Sequence, residues 1–110
     1  METFELKKGC LIIHIRDELD HHRAMLLRAE ADRKIEKEGA KHVIFDFTGV
    51  PFMDSSGIGM VMGRYKKVIF TGGRAFVTGV GPGVDRIFRI SGLYKIIEKY
   101  DSVEKILENL

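Results

Sequence analysis

Cysteine occurs once in the 110 residues, as Cys10. No disulfide framework can therefore form within the chain, which suits a reducing compartment. Its setting, Cys10-Leu11-Ile12-Ile13, reads as a buried strand. No apolar run approaches the length of a membrane span, and residues 1–9 lack the apolar core of a signal peptide. An excess of one charge is missing too. The net charge is +2, and Lys and Arg alternate with Asp and Glu along most of the chain. No basic stripe with interleaved aromatics appears, which argues against a direct nucleic-acid surface. Repeats, linkers and low-complexity segments are absent. What remains is the expectation of one cytoplasmic domain over residues 1–110, with no membrane partner. A chain of this size can hide roughly two-thirds of its unfolded surface.

The patterns that are present alternate between strand and helix. Residues 3–8 form a first short strand with Phe4 and Leu6 on one face, and Gly9 turns the chain into a second at residues 10–15. Asp20 is placed to cap a helix whose apolar stripe is Ala24, Leu27, Ala31 and Ile35, closed by Gly39. Its outer face, with Arg23, Arg28 and Lys34 among others, reads as solvated. Residues 43–47 are apolar nearly throughout, as a central strand is. A helix between two strands implies a parallel, right-handed crossover. A further helix follows with Ile58, Val61, Met62, Tyr65, Val68 and Ile69 inward, ending at Gly72-Gly73. Residues 75–80 are a fourth strand, Val84 to Ile90 a short helix, and residues 94–100 hold a last strand. Asp101 or Ser102 caps a final helix with Val103, Ile106, Leu107 and Leu110 inward. The fold class is α/β, a mixed sheet of four or five strands with about four helices.

The chain is organised around Pro51-Phe52-Met53-Asp54-Ser55-Ser56-Gly57-Ile58-Gly59, between a strand and a helix. Pro51 cannot donate to a sheet ladder, and Asp54, Ser55 and Ser56 supply the acceptors that helix starts prefer. Two hydroxyls thus stand where free backbone N–H groups and the positive helix end favour a phosphate. The same residues also suffice as plain helix caps. Gly57, Gly59 and Gly63 each cost a helix roughly 0.8–1 kcal/mol relative to Ala. They imply close approach of another backbone, from the domain's own sheet or from a partner.

Catalytic patterns are not found. His21 and His22 are adjacent and do not share a helix face, so they are not read as a metal site. Gly79-Val80-Gly81-Pro82-Gly83 lacks the Gly-Lys-Ser/Thr ending of a phosphate-cradling loop. Neither a Gly-x-Ser-x-Gly elbow nor a His placed by sequence to activate Ser55 or Ser56 is present. No enzyme activity, cofactor or metal is expected.

Residues 52–59, running into Gly63-Arg64-Tyr65-Lys66, resemble the signature of bacterial anti-sigma factor antagonists of the STAS domain family. Leu19-Asp20-His21-His22 and Ser91-Gly92-Leu93-Tyr94-Lys95-Ile96-Ile97 fit the same family, so the similarity covers nearly the whole chain. It is greatest to the sporulation branch, which frees sigma factor F; the stress-response branch is an alternative. Asp17 departs from the glycine usual ahead of Glu18-Leu19-Asp20. The resemblance implies that Ser55 is the phosphorylation site. It also implies two partners, an anti-sigma factor that is an ATP-dependent serine kinase and a separate serine phosphatase. The partner surface is then expected at Asp20, His21 and Arg23, at Asp54, Ser55, Ser56, Gly57, Ile58 and Gly59, and near Arg64. A small-molecule or nucleotide-binding module is the rival class, since some domains of this fold are attached to sensors or transporters.

Overall fold

In the computed structural model, which describes residues 3–110, one mixed sheet carries the chain. Its strands are β1 (Thr3–Lys7), β2 (Cys10–His14), β3 (His42–Asp46), β4 (Ala75–Thr78) and β5 (Glu98–Lys99), side by side in chain order. β1 and β2 form the expected antiparallel hairpin, and every other pair is parallel. The helices are α1 (His21–Glu38), α2 (Ser55–Phe70), α3 (Pro82–Ser91) and α4 (Val103–Glu108). A strand order that advances one step at each crossover puts the connecting helices on one face when all crossovers share a hand.

The strand pleat divides the core accordingly. Leu11, Ile13, Val43, Phe45, Ala75 and Val77 face the first three helices in the main core. The alternate residues Cys10, Ile12, Ile44 and Phe76 face the other way and meet Ile106 of α4. Burial on both faces is why β2 and β3 read as continuous apolar runs. Helix α1 buries the stripe its spacing predicts, and Gly39 ends it at φ 64° with its N–H on the Ile35 carbonyl. Ser102, not Asp101, caps α4, its side chain accepting from the Lys105 N–H.

Three expectations shift. Helix α2 buries Gly57, Met60, Val61, Arg64 and Val68, whereas Ile69 is 45% exposed. The helix is apolar on much of its circumference, and packing against α1 chooses the face. Of residues 94–100 only Glu98 and Lys99 pair with β4, because residues 93–95 close into a single 3-10 turn first. Leu110, expected inward, lies half-exposed beyond the last turn of α4.

At the C-terminal ends of β2, β3 and β4 the face toward α4 changes from apolar to polar. His14, Asp46 and Thr78 stand in register there as one rung. His14 Nδ1 lies 2.6 Å from Asp46 Oδ2, and its Nε2 lies 2.6 Å from Glu5 Oε1 on the edge strand. Two carboxylates on one ring favour the doubly protonated imidazolium, since a neutral ring has one N–H to give. Burial alone would lower the His14 pKa, but Asp46 and Glu5 outweigh it and the net direction is up. Burial raises Asp46, and its bonds from Thr48 and His14 bring it below the ordinary value; Glu5 is lowered chiefly by His14.

The clasp therefore gives a pH-dependent share of stability. The His14 contribution is complete below its unfolded pKa of about 6.5 and disappears as pH rises through the raised folded value. The carboxylate contributions are complete above about 4.5 and disappear as pH falls through the lowered folded values. His14→Gln should cost about 2 kcal/mol between pH 5 and 6, mostly through Asp46 because Glu5 is largely exposed and screened. By pH 9 the cost should be well below half of that. Urea unfolding of both proteins across this range is the check, and a cost that does not change with pH would mean that His14 is neutral throughout.

Candidate functional site

Two loops leave the same edge of the sheet, residues 15–20 from β2 and residues 47–54 from β3, and they run alongside each other. The Ile15 N–H donates to the Asp46 carbonyl (2.8 Å), Asp17 to Gly49 (3.2 Å) and Leu19 to Phe52 (3.1 Å), while Asp54 donates back to Leu19 (3.4 Å). Leu19 and Met53 form a parallel bridge, and both are fully buried. Asp17 has φ 64°, in the left-handed region that aspartate tolerates better than most residues. The chain thus keeps the turn even without glycine. The Arg23 guanidinium braces the first loop by donating to the Glu18 carbonyl and, at 2.7 Å, to that of Arg16.

One residue beyond each bridge partner, an aspartate caps a helix. Asp20 accepts from the Arg23 N–H (2.9 Å) and Asp54 from the Ser56 N–H (2.8 Å). Helices α1 and α2 therefore start side by side with their positive ends together. Ser55 is the first residue of α2; it is exposed, and its hydroxyl makes no hydrogen bond among the described residues. It is not a cap, because Asp54 holds that role. Ser56 is half-buried, with Oγ 2.9 Å from Nδ1 of His21, the first residue of α1. Between the two helix starts runs an open groove of about 210 Å³. His21, Ala24, Met25 and Arg28 line one side, and Ser56, Gly59 and Met60 the other.

The expected surface residues do not all lie on that surface. Asp20, His21, Ser55 and Gly59 are exposed, Asp54 and Ser56 half-buried, and Ile58 packs its side chain against the main core. Gly57 is buried, and a Cβ there would stand 2.6 Å from Met53 Sδ and 3.3 Å from Leu19 Cδ2. Its bare backbone makes room for the loop bridge, not for a partner. At Gly59 a Cβ would meet open space. Arg64 is also withdrawn, with Nε 2.7 Å from Asp32 Oδ1 of α1 and Nη1 donating to the Met60 carbonyl (3.2 Å). Burial presses its pKa down and the Asp32 charge works against that. Arg64 ties α2 to α1 and belongs to no exposed patch. Its place three residues after Val61 and four before Val68, on the inward stripe, was the signal for this. Met25, about half exposed and off the α1 stripe, adds apolar surface to the groove wall and was missed. Among the described residues no three His, Cys, Asp or Glu side chains converge as metal ligands, and no helix is long and apolar enough to cross a membrane.

The chain matches the STAS domain family over residues 3–106. It is 38% identical over 106 residues to the anti-sigma F factor antagonist of Paenibacillus polymyxa, covering 96% of this chain and 91% of that one. Among solved structures it is similar to the anti-sigma factor antagonist SpoIIAA in its unphosphorylated form, with a TM-score of 0.88 and 28% identity. That match covers 99% of this chain and 95% of the other. The phosphorylated form of the Bacillus cell fate determinant SpoIIAA gives a TM-score of 0.79 at 27% identity, covering 99% and 98%.

The two glycines can be told apart by stability alone. Gly57→Val overpacks Met53 and Leu19 and should destabilise the fold by about 2 kcal/mol. Gly59→Val points into open space and should leave stability unchanged or raise it by a few tenths, since glycine is a poor helix former. Urea unfolding midpoints decide it; equal losses would mean that Gly57 has slack that its contacts deny.

Proposed function

The chain belongs to the STAS domain family, and we propose that within it the protein is an anti-sigma factor antagonist switched by phosphorylation at Ser55. In this reading the unphosphorylated form docks on an anti-sigma factor that is also a serine kinase, and so releases the sigma factor. The kinase transfers phosphate to Ser55, the antagonist leaves, and a serine phosphatase restores it. The protein works in the cytoplasm as substrate and switch, and the chemistry belongs to its partners.

The observation that carries the reading is the exposed Ser55 hydroxyl, unbonded among the described residues, at the first position of α2 beside the groove. A phosphoryl group there adds about −1.5 to −2 charges and three acceptor oxygens. The free N–H groups and positive end of α2 can receive it locally, so the fold need not rearrange. A partner packed over the same corner would have to desolvate that charge, at a cost of several kcal/mol unless it is paired. Local tolerance combined with rejection at the interface makes the switch. SpoIIAA's existence in phosphorylated and unphosphorylated forms supports this assignment.

Because Asp54 holds the cap, Ser55→Ala should lower stability by only a few tenths of a kcal/mol, less than the roughly 1 kcal/mol of a lost cap. The variant should bind the anti-sigma factor kinase and stay bound when ATP is added. Ser55→Asp puts a carboxylate at the positive helix end and should be at least as stable as the native chain. It should nonetheless bind the kinase at least tenfold more weakly. Titration of both variants with ADP and with ATP tests this. Tight binding by Ser55→Asp would remove the electrostatic basis of the switch.

A further inference from the structure

The two hydroxyls at the start of α2 are not equivalent, and α1 makes the difference. His21 Nδ1 lies 2.9 Å from Ser56 Oγ, whereas the neighbouring Ser55 hydroxyl is exposed and makes no hydrogen bond among the described residues. We propose that His21 is a positioning residue that directs phosphorylation to Ser55 by holding the Ser56 hydroxyl against α1. This rests on the reading of the corner as a serine kinase substrate.

In the transfer, a serine Oγ bonds to the γ-phosphorus of ATP. The bond from that phosphorus to the ADP oxygen breaks, and the hydroxyl proton passes to a base of the kinase. The reacting oxygen must lie in line with the leaving oxygen. Ser55 Oγ is free to rotate into that line. Ser56 follows it by about 100° around the helix axis, toward α1 and the groove. To react, its oxygen must first leave the imidazole. A net hydrogen bond of this kind restrains it roughly fivefold, or about 1 kcal/mol. The restraint holds in either tautomer, because a bare Nδ1 accepts the serine proton and a protonated one donates to the serine oxygen.

A histidine that accepts a serine proton could instead act as a base and make Ser56 the better nucleophile. The two roles predict opposite effects of removing the ring. The test uses the full chain, its anti-sigma factor kinase and ATP, with phosphopeptide mapping. The native chain should carry phosphate on Ser55 alone. In a Ser55→Ala background, Ser56 should take up phosphate at least fivefold faster once His21→Ala is added. The exposed neighbour change His22→Ala should have no such effect. An unchanged or slower rate at Ser56 in the His21→Ala background overturns the proposal. A second readout is independent of the kinase. The ¹⁵N signal of His21 Nδ1 should move in Ser56→Ala and stay in place in Ser55→Ala; equal behaviour in the two also overturns it. Absence of phosphate from the native chain would bring down the kinase-substrate reading itself. Phosphate on Ser55 together with a Ser56 rate that does not depend on His21 would bring down only the present inference.

Discussion

The helix-start surface depends on one backbone constraint, the parallel pairing of Leu19 with Met53. Neither residue belongs to a regular strand, yet the bridge sets two irregular loops in register. Each loop then places an aspartate cap and a helix at the same height above the sheet. Without that registration, His21 would have no reason to meet Ser56, and the groove between α1 and α2 would have no common mouth. Gly57 completes the constraint, because any side chain there would press on both bridge partners. Arg23 secures the outer loop from the first turn of α1, and the Arg64–Asp32 ion pair holds the two helices further along.

The sheet separates two kinds of work. One face buries the main core under three helices, and its loops build the helix-start surface. The other face holds a small core under α4, ending in the polar rung of His14, Asp46 and Thr78. The rung lies away from Ser55 and binds the edge strand to the centre through Glu5, His14 and Asp46. Its electrostatics bear on stability, whereas those of the helix starts bear on the recognition proposed for that surface. The two lie on opposite faces of the sheet, the rung on the side of α4 and the helix starts on the side of the main core.

A rigid corner suits a switch read by a partner. Asp54 already meets the capping requirement of α2, which leaves Ser55 without a structural duty. A residue free of structural duty can gain charge without endangering the fold. In the proposed switch the information resides in what the surface will accept, since docking demands desolvation and a phosphate resists it. The adjacent Ser56 is in the opposite situation, held by backbone to Asp54 and by side chain to His21.

Local chemistry determined a large part of this protein from sequence alone. The continuous apolar runs of β2 and β3 and the 3.6-residue stripe of α1 mark those elements, Asp20 and Gly39 bound that helix, and the Pro51–Asp54 stretch marks the corner. Those features depend on neighbours a few residues apart, so the order of residues contains them. The tertiary structure decided the rest, where contacts join residues far apart in the chain. The stripe read for α2 held from Ile58 to Val68, but packing in the tertiary structure left Ile69 exposed and brought Met60 and Arg64 inward. Arg64 looked like surface and Gly57 like a partner contact until Asp32, Leu19 and Met53 came to lie against them. The inequality of Ser55 and Ser56 has the same origin. Two adjacent serines are chemically alike in the chain, and only the arrival of His21 from another helix makes them differ.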